Sequence, residues 1–328
     1  MSEDLQVRAA FVRELGPPDR IEVGELTIAG PGANEVLVSV AEVCVNPVDT
    51  FVRSGRFKTP VPLPLVLGRD LVGEVAWAPK FSRFSVGDRV GACTLGHDGR
   101  QGSFATQAVV PEDRLYPILD DVASRNVVAI AHPGTTAALA WFEHANLRAG
   151  QSVFVGGAAG NVGAAAVAMA RWGSARVAAS AGEQDLDSVR AAGAELAVDY
   201  RAPNLAQQVL DAVPEGFDVV WDTSGHMDYA AIAQLVRVGG KVLVTAAEPE
   251  AVSVPWAQLY TKDVAVLGFV HSRASADQMA RAAQVVNRGL NEGWLRPNIT
   301  EVTDLESARI VHERMEAGQV RGRIVLRV

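Results

Sequence analysis

The sequence predicts an α/β chain in which a doubly wound parallel sheet is joined to a smaller β-barrel. Three observations predict it. A glycine-spaced turn, Gly157-Ala-Ala-Gly-Asn-Val-Gly163, stands between a short apolar strand and an Ala-rich helix. Strand and helix patterns alternate after it, which implies right-handed βαβ units and a parallel sheet. Before it, short strands are punctuated by glycine and proline, the pattern of a small barrel.

The barrel half comes first. Residues 7–12 and 21–28 read as strands, and Pro17-Pro18-Asp19 turns between them. Residues 35–45 read as one long strand, with Val36, Val38 and Val40 alternating against Leu37 and Ser39. Asn46-Pro47 stops it, because proline restricts the residue before it and brings no N–H to a ladder. Residues 49–54 read as about one helical turn, ended by Gly55. Pro60, Pro62 and Pro64 make a rigid extended link. Further strands follow at 68–76, after the turn at 86–90, and at 103–110.

From Val127 the character changes. Residues 127–146 carry Ala, Leu, Trp and Phe at helical spacing, broken at Pro133-Gly134. Val153, Phe154 and Val155 are a buried strand, Gly157, Gly160 and Gly163 punctuate the turn, and residues 164–172 are helical. Strands at 176–180, 196–199, 219–222, 241–245 and 264–269 then alternate with helices at 185–192, 205–213 and 229–238, the last closed by Gly239-Gly240. Six strands from the glycine turn onward make two mononucleotide halves. In that context glycines let the backbone approach a pyrophosphate, and the helix N-terminus offers N–H groups to the anion. Gly157, Ala158, Ala159, Gly160, Asn161, Val162 and Gly163 are therefore the candidate cofactor turn. Residues 275–290 and 305–318 are amphipathic helices, and 323–328 is a closing strand expected to return to the first domain.

At 328 residues the chain is long enough for two domains. It is 48% hydrophobic and 21% charged, a globular rather than a disordered balance. A net charge of −8 without a Lys/Arg run argues against a nucleic-acid partner. The acidic start, Met1-Ser-Glu-Asp-Leu-Gln, does not read as a signal peptide, and apolar runs are interrupted well short of a membrane span. Two cysteines, Cys44 and Cys93, suit reduced buried thiols, so a cytoplasmic location is expected.

Four motifs in register resemble one family. Asn46-Pro-Val-Asp-Thr-Phe-Val-Arg-Ser-Gly55 resembles the Asn-Pro-x-Asp-Thr-Tyr-x-Arg-Ser-Gly segment of zinc-free quinone oxidoreductases. Leu67-Gly-Arg-Asp-Leu-Val-Gly73 resembles their Gly-x-Asp-x-x-Gly, and Gly87-Asp-Arg-Val90 is shared across the medium-chain dehydrogenase/reductase superfamily. Residues 153–163 resemble the family's Ala-x-x-Gly-x-x-Gly turn. The resemblance, which covers essentially the whole chain, implies a GroES-like catalytic domain at 1–126 and 271–328 and a Rossmann NADP-binding domain at 127–270. It also implies NADPH as hydride donor. Zinc-dependent relatives need Gly-His-Glu where this chain has Gly68-Arg69-Asp70, and a guanidinium offers no lone pair to a metal. No metal is expected.

Without a metal, hydrogen bonds must polarise the acceptor while the cofactor supplies the hydride. The resemblance implies that Asn46 sits near the nicotinamide ribose and the acceptor oxygen, and that Thr136 approaches the nicotinamide side; a strand-ending amide and a helix-start cap are their structural readings. Asp49 is expected to cap the turn after Pro47, and Arg53 to form a surface or domain-closing ion pair. Phe51 replaces the family's tyrosine and removes a hydroxyl donor. Thr223 and Ser224 follow the fourth strand, Ala246 and Ala247 the fifth, and Phe269 and Val270 the sixth, where cofactor crevices form. The second strand ends without an acid, so Ser180 with Tyr200 and Arg201 is expected to meet a 2′-phosphate, although Glu183, Asp185 and Asp187 lie nearby. The expected activity is NADPH-dependent, metal-independent reduction of a small-molecule quinone or α,β-unsaturated carbonyl. An enoyl-thioester reductase and a non-catalytic NADPH-binding sensor are the alternatives. The apolar run 264–270 at the sheet edge implies, by resemblance, a homodimer.

Overall fold

The computed structural model describes residues 4–246 and 253–328. The chain divides into two compact units, residues 1–132 with 279–328, and residues 133–278. No described helix is long and apolar enough to cross a membrane.

The first unit opens with β1 (Leu5–Val12), β2 (Glu22–Ile28), β3 (Glu35–Cys44), α1 (Pro47–Arg53), β4 (Leu65–Val66), β5 (Asp70–Trp77), β6 (Arg89–Ala92), β7 (Gln107–Pro111) and β8 (Tyr116–Pro117). β3 is its spine. It pairs antiparallel with β5 over most of its length and with β7 along its first half. Its last residues pair with the closing strand of the chain. Alternation puts Val36, Val38 and Val40, and the register shift between Val40 and Glu42 puts Val43, into one core with Leu71 and Val75 of β5, Leu65 of β4, and Ile324 and Leu326 near the C-terminus. β1, β2 and β4 form a separate three-stranded sheet.

The second unit holds β9 (Ser152–Gly156), α3 (Asn161–Trp172), β10 (Arg176–Ala181), α4 (Leu186–Ala191), β11 (Leu196–Asp199), α5 (Leu205–Ala212), β12 (Phe217–Asp222), α6 (Tyr229–Leu235), β13 (Val236–Val244), α7 (Trp256–Tyr260) and β14 (Ala265–Gly268). α2 (Ser124–Ala138) precedes them, and the boundary between the units falls inside it. The sheet order is β11-β10-β9-β12-β13-β14, and every pairing is parallel. This is the doubly wound order of a Rossmann fold, with the switch point between β9 and β12. β9 is buried along its whole length, as a central strand covered on both faces must be. α8 (Ala276–Asn291), β15 (Ile299–Asp304), α9 (Ala308–Glu316) and β16 (Arg323–Arg327) complete the chain, and β16 pairs with β3 as the closing strand was expected to.

Three local expectations are corrected. Pro133 does not break its helix: α2 runs through it and continues as a π-helix, Leu139–His144. Proline removes one N–H, but Val127–Ile130 before it and Ala137–Trp141 after it are buried, and their packing holds the helix together. Thr136 is consequently inside a helix, not at its start. Residues 236–240 are not the end of a helix but the start of β13, with Val236 paired to Phe217. Lys262 Nζ donates to the carbonyls of Ala233 and Val236 at 2.8 and 2.9 Å and so terminates α6. β15, at residues to which the sequence assigned no element, lies parallel to β16.

Candidate active site

In the first unit, β16, β3 and β5 end side by side. The register sets Cys44 opposite Val325 on one flank and Asp70 on the other, so Arg323, Asn46 and Asp70 gather at one end of the sheet. Asn46 is the centre of what forms there. Its Nδ2 donates to Asp70 Oδ2 at 2.8 Å and, more weakly, to the Cys44 carbonyl at 3.3 Å. Arg323 Nη2 donates to Asn46 Oδ1 at 2.8 Å. The Asn46 backbone N–H donates to Asp49 Oδ2 at 2.8 Å, which makes Asp49 the cap of the α1 entrance. Arg323 stands 3.8 Å from Asp70, and Arg69 4.0 Å from Asp49.

None of Asn46, Asp49, Arg69, Asp70 and Arg323 exposes more than 2% of its surface. Two acids and two guanidiniums are thus sealed together with an amide between them. Burial pushes the Asp49 carboxyl up to about 6, against the pull of Arg69, and the Asp70 carboxyl up to about 8, against the pull of Arg323. Burial likewise pushes the Cys44 thiol up to about 12, and its Sγ donates to the Ile324 carbonyl at 3.2 Å. The donor set does not fit a catalytic zinc: its cations are side chains of the chain itself. Among the described residues no three His, Cys, Asp or Glu side chains converge on a metal position.

One neighbour, Arg53, differs from expectation. Arg53 is neither a surface nor a domain-closing residue: it is fully buried inside the first unit, bonded to Glu316 and the Gly16 carbonyl. Phe51 is 37% exposed, with the Arg56 guanidinium 4.6 Å above its ring.

In the second unit the glycine turn joins β9 to α3. Gly157 has φ +69°, and a Cβ there would also crowd Ser224 and Thr223 at 3.0–3.1 Å. A Cβ at Gly163 would lie 2.3 Å from the Gly157 carbonyl oxygen, so that glycine lets α3 close against the turn. Ala159 and Gly160 are exposed at the tip, and Ala158 is buried, its N–H donating to the Ser180 carbonyl at 2.9 Å. Asn161, Val162 and Gly163 form the first turn of α3, whose N–H groups point out of the helix end. The small exposed tip at a helix N-terminus fits a pyrophosphate.

Thr223 and Ser224 support this turn from β12. Thr223 Oγ1 donates to the Gly156 carbonyl at 2.8 Å. Asp222 accepts from the Ser224 hydroxyl and N–H at 2.7 and 2.9 Å and from the Met227 N–H at 2.9 Å. Ser180 is only 3% exposed, whereas Tyr200 is 51% exposed after β11, with the Arg201 guanidinium 4.8 Å above its ring. Ala246 is exposed after β13; Ala247 lies outside the described residues. Phe269 and Val270 follow β14 and are half-buried, and Phe269 stacks on His144 at 4.2 Å. Thr136 is 7% exposed on α2.

Arg323, His144 and His271 were missed by sequence reasoning. Arg323 left one signal, a charged residue directly before the apolar run Ile324-Val-Leu326. The histidines left none, since isolated imidazoles have many ordinary uses.

Comparison with known proteins agrees with this architecture. Residues 32–120 match the alcohol dehydrogenase GroES-like domain, and residues 161–288 match the zinc-binding dehydrogenase domain. The quinone oxidoreductase of Sus scrofa is 30% identical over 309 residues, which cover 93% of this chain and 92% of that one. The chloroplastic NADPH-dependent alkenal/one oxidoreductase of Arabidopsis thaliana is 32% identical over 222 residues, 64% of this chain and 54% of its own. A solved NAD-dependent alcohol dehydrogenase superposes with a TM-score of 0.87 at 28% identity, covering 98% of this chain and 99% of that one.

Proposed function

The chain belongs to the quinone oxidoreductase family of the medium-chain dehydrogenases and reductases, and on that premise we propose that it is an NADPH-dependent, metal-independent reductase of quinones or α,β-unsaturated carbonyls. The family makes it an oxidoreductase enzyme with a nicotinamide cofactor and a small-molecule substrate. One observation carries the reading: an exposed glycine tip at the α3 N-terminus, at the switch point of a parallel sheet of order β11-β10-β9-β12-β13-β14. The cofactor, when bound, supplies the hydride.

The remaining work falls to side chains. Asn161, Val162 and Gly163 present N–H groups to the pyrophosphate, and Thr223 and Ser224 hold the turn in place. Arg201, exposed over Tyr200, is the donor for a 2′-phosphate; Ser180, expected to share that role, is buried with its carbonyl bonded to Ala158 and supports the glycine turn instead. Thr136, Ala246, Phe269 and Val270 are assigned to the nicotinamide end. Asn46, expected beside the acceptor oxygen, is buried with both ends of its amide bonded, so its part is to keep Asp70 and Arg323 together. A preference for NADH over NADPH in kcat/KM would overturn the cofactor assignment.

We also propose a homodimer built on β14. Among the described residues that strand is a sheet edge with Ala265, Val266 and Gly268 exposed, and an apolar edge of that kind invites another strand. Light scattering at micromolar concentration should give twice the chain mass; a monomer would refute this.

A further inference from the structure

The end of α2 makes two separate contacts with the segment that follows β14. Thr135 Oγ1 and His271 Nε2 are 2.8 Å apart, with both residues at least 95% buried. Nine residues further along, the His144 ring lies flat on Phe269, with ring centres 4.2 Å apart and planes 16° from parallel. Phe269, Val270 and His271 are consecutive, so both contacts grip one three-residue segment from one helix.

An ordinary α-helix could not do this. Nine residues are about two and a half turns of an α-helix, so Thr135 and His144 would face opposite sides. The π-helix at Leu139–His144 changes that. Its wide turn, seen in the Ala145 N–H bonded to the Ala140 carbonyl five residues back at 2.8 Å, absorbs about one extra residue. The two side chains then lie about a quarter turn apart and reach the same neighbour. Burial holds the His144 pKa below its usual value, which suits a neutral ring stacked on an aromatic face.

We propose that His271 and His144 are positioning residues for the nicotinamide end of the cofactor: together they clamp Phe269 and Val270 in register with Thr136 on α2. The inference rests on the cofactor reading above and adds the two histidines and the π-turn to it. Neither imidazole need touch the cofactor. They act by fixing the segment, as supporting contacts fix reactive groups elsewhere.

The test separates the two ends of the dinucleotide. Binding of NADPH and of 2′-phospho-ADP-ribose, which lacks only the nicotinamide, is measured for the unaltered chain, His271→Ala, His271→Gln, Thr135→Val and His144→Ala. NADPH affinity should fall about tenfold in His271→Ala and in Thr135→Val, the order expected for one coupled pair, with 2′-phospho-ADP-ribose affinity unchanged. His271→Gln, which still reaches Thr135, should restore most of the loss, and His144→Ala should lose NADPH affinity independently. KM for NADPH should rise with little change in KM for the acceptor. Equal losses for both ligands, or no loss for either, would overturn the clamp. If the unaltered chain bound neither ligand, the cofactor reading itself would fall, and the clamp with it.

Discussion

Arg323→Met probes the buried cluster most sharply. The substitution keeps the side-chain stem and removes the guanidinium bonded to Asn46 Oδ1 at 2.8 Å and standing 3.8 Å from Asp70. Near pH 6 Asp70 holds its proton, because its pKa is pushed up to about 8. The loss there is chiefly the charge-assisted bond to Asn46, about 1.5–3 kcal/mol. Near pH 9, above the Asp70 value in the unaltered protein, the carboxyl without its strongest counter-charge either ionises unpaired or holds a proton the unfolded chain has released, and breaking one partner of a buried pair costs about 3–5 kcal/mol. Urea unfolding at the two pH values reads the difference. In the double variant Arg323→Met/Asp70→Leu much of the loss should return, since no charge is left unpaired. A destabilisation under about 1 kcal/mol at both pH values, or one that does not grow with pH, would refute the assignment of Asn46, Asp70 and Arg323 to one coupled unit.

Other expectations follow from the same geometry. In the unaltered protein Asp49 and Asp70 have raised folded-state pKa values, so the folded state keeps protons that the unfolded chain has released above about pH 4. Their contribution is therefore lost as pH rises from about 4 to about 8, and Asp70→Asn should flatten that slope in a stability-pH profile. Gly163→Ala should cost about 1–3 kcal/mol through the clash with the Gly157 carbonyl, and should weaken cofactor binding by displacing α3. Gly160→Ala meets only that carbonyl, at 3.2 Å, and should cost clearly less in melting experiments. Arg201→Ala should lower the NADPH-to-NADH ratio of kcat/KM by about tenfold to a hundredfold, the worth of one charge-assisted bond; an unchanged ratio would remove Arg201 from the 2′-phosphate site.

The second unit was largely legible in the sequence because its signals are local. Val153-Phe-Val155, three glycines at equal spacing and an Ala-rich helix lie within 20 residues of one another. The alternation that follows repeats the same signal. The places that failed were settled by distant groups. Pro133 stays helical because both flanking turns are buried, and residues 236–240 become strand because Phe217 and Lys262 claim them. The first unit's cluster was half legible. Asn46, Asp49, Arg69 and Asp70 fall in two recognisable motifs, but Arg323 joins them across 277 residues, and no local pattern reports such a contact. The amide of Asn46 could be singled out by its place before Pro47; that both its ends are already engaged could not.

The most direct test of the account is NADPH oxidation followed with a quinone and with an enone as acceptors, with and without a chelator, and repeated with NADH. Turnover is expected to be steady, to depend on the acceptor, to be insensitive to the chelator and to be faster in kcat/KM with NADPH than with NADH. Tight NADPH binding without hydride transfer to any acceptor, or turnover abolished by the chelator, would contradict it.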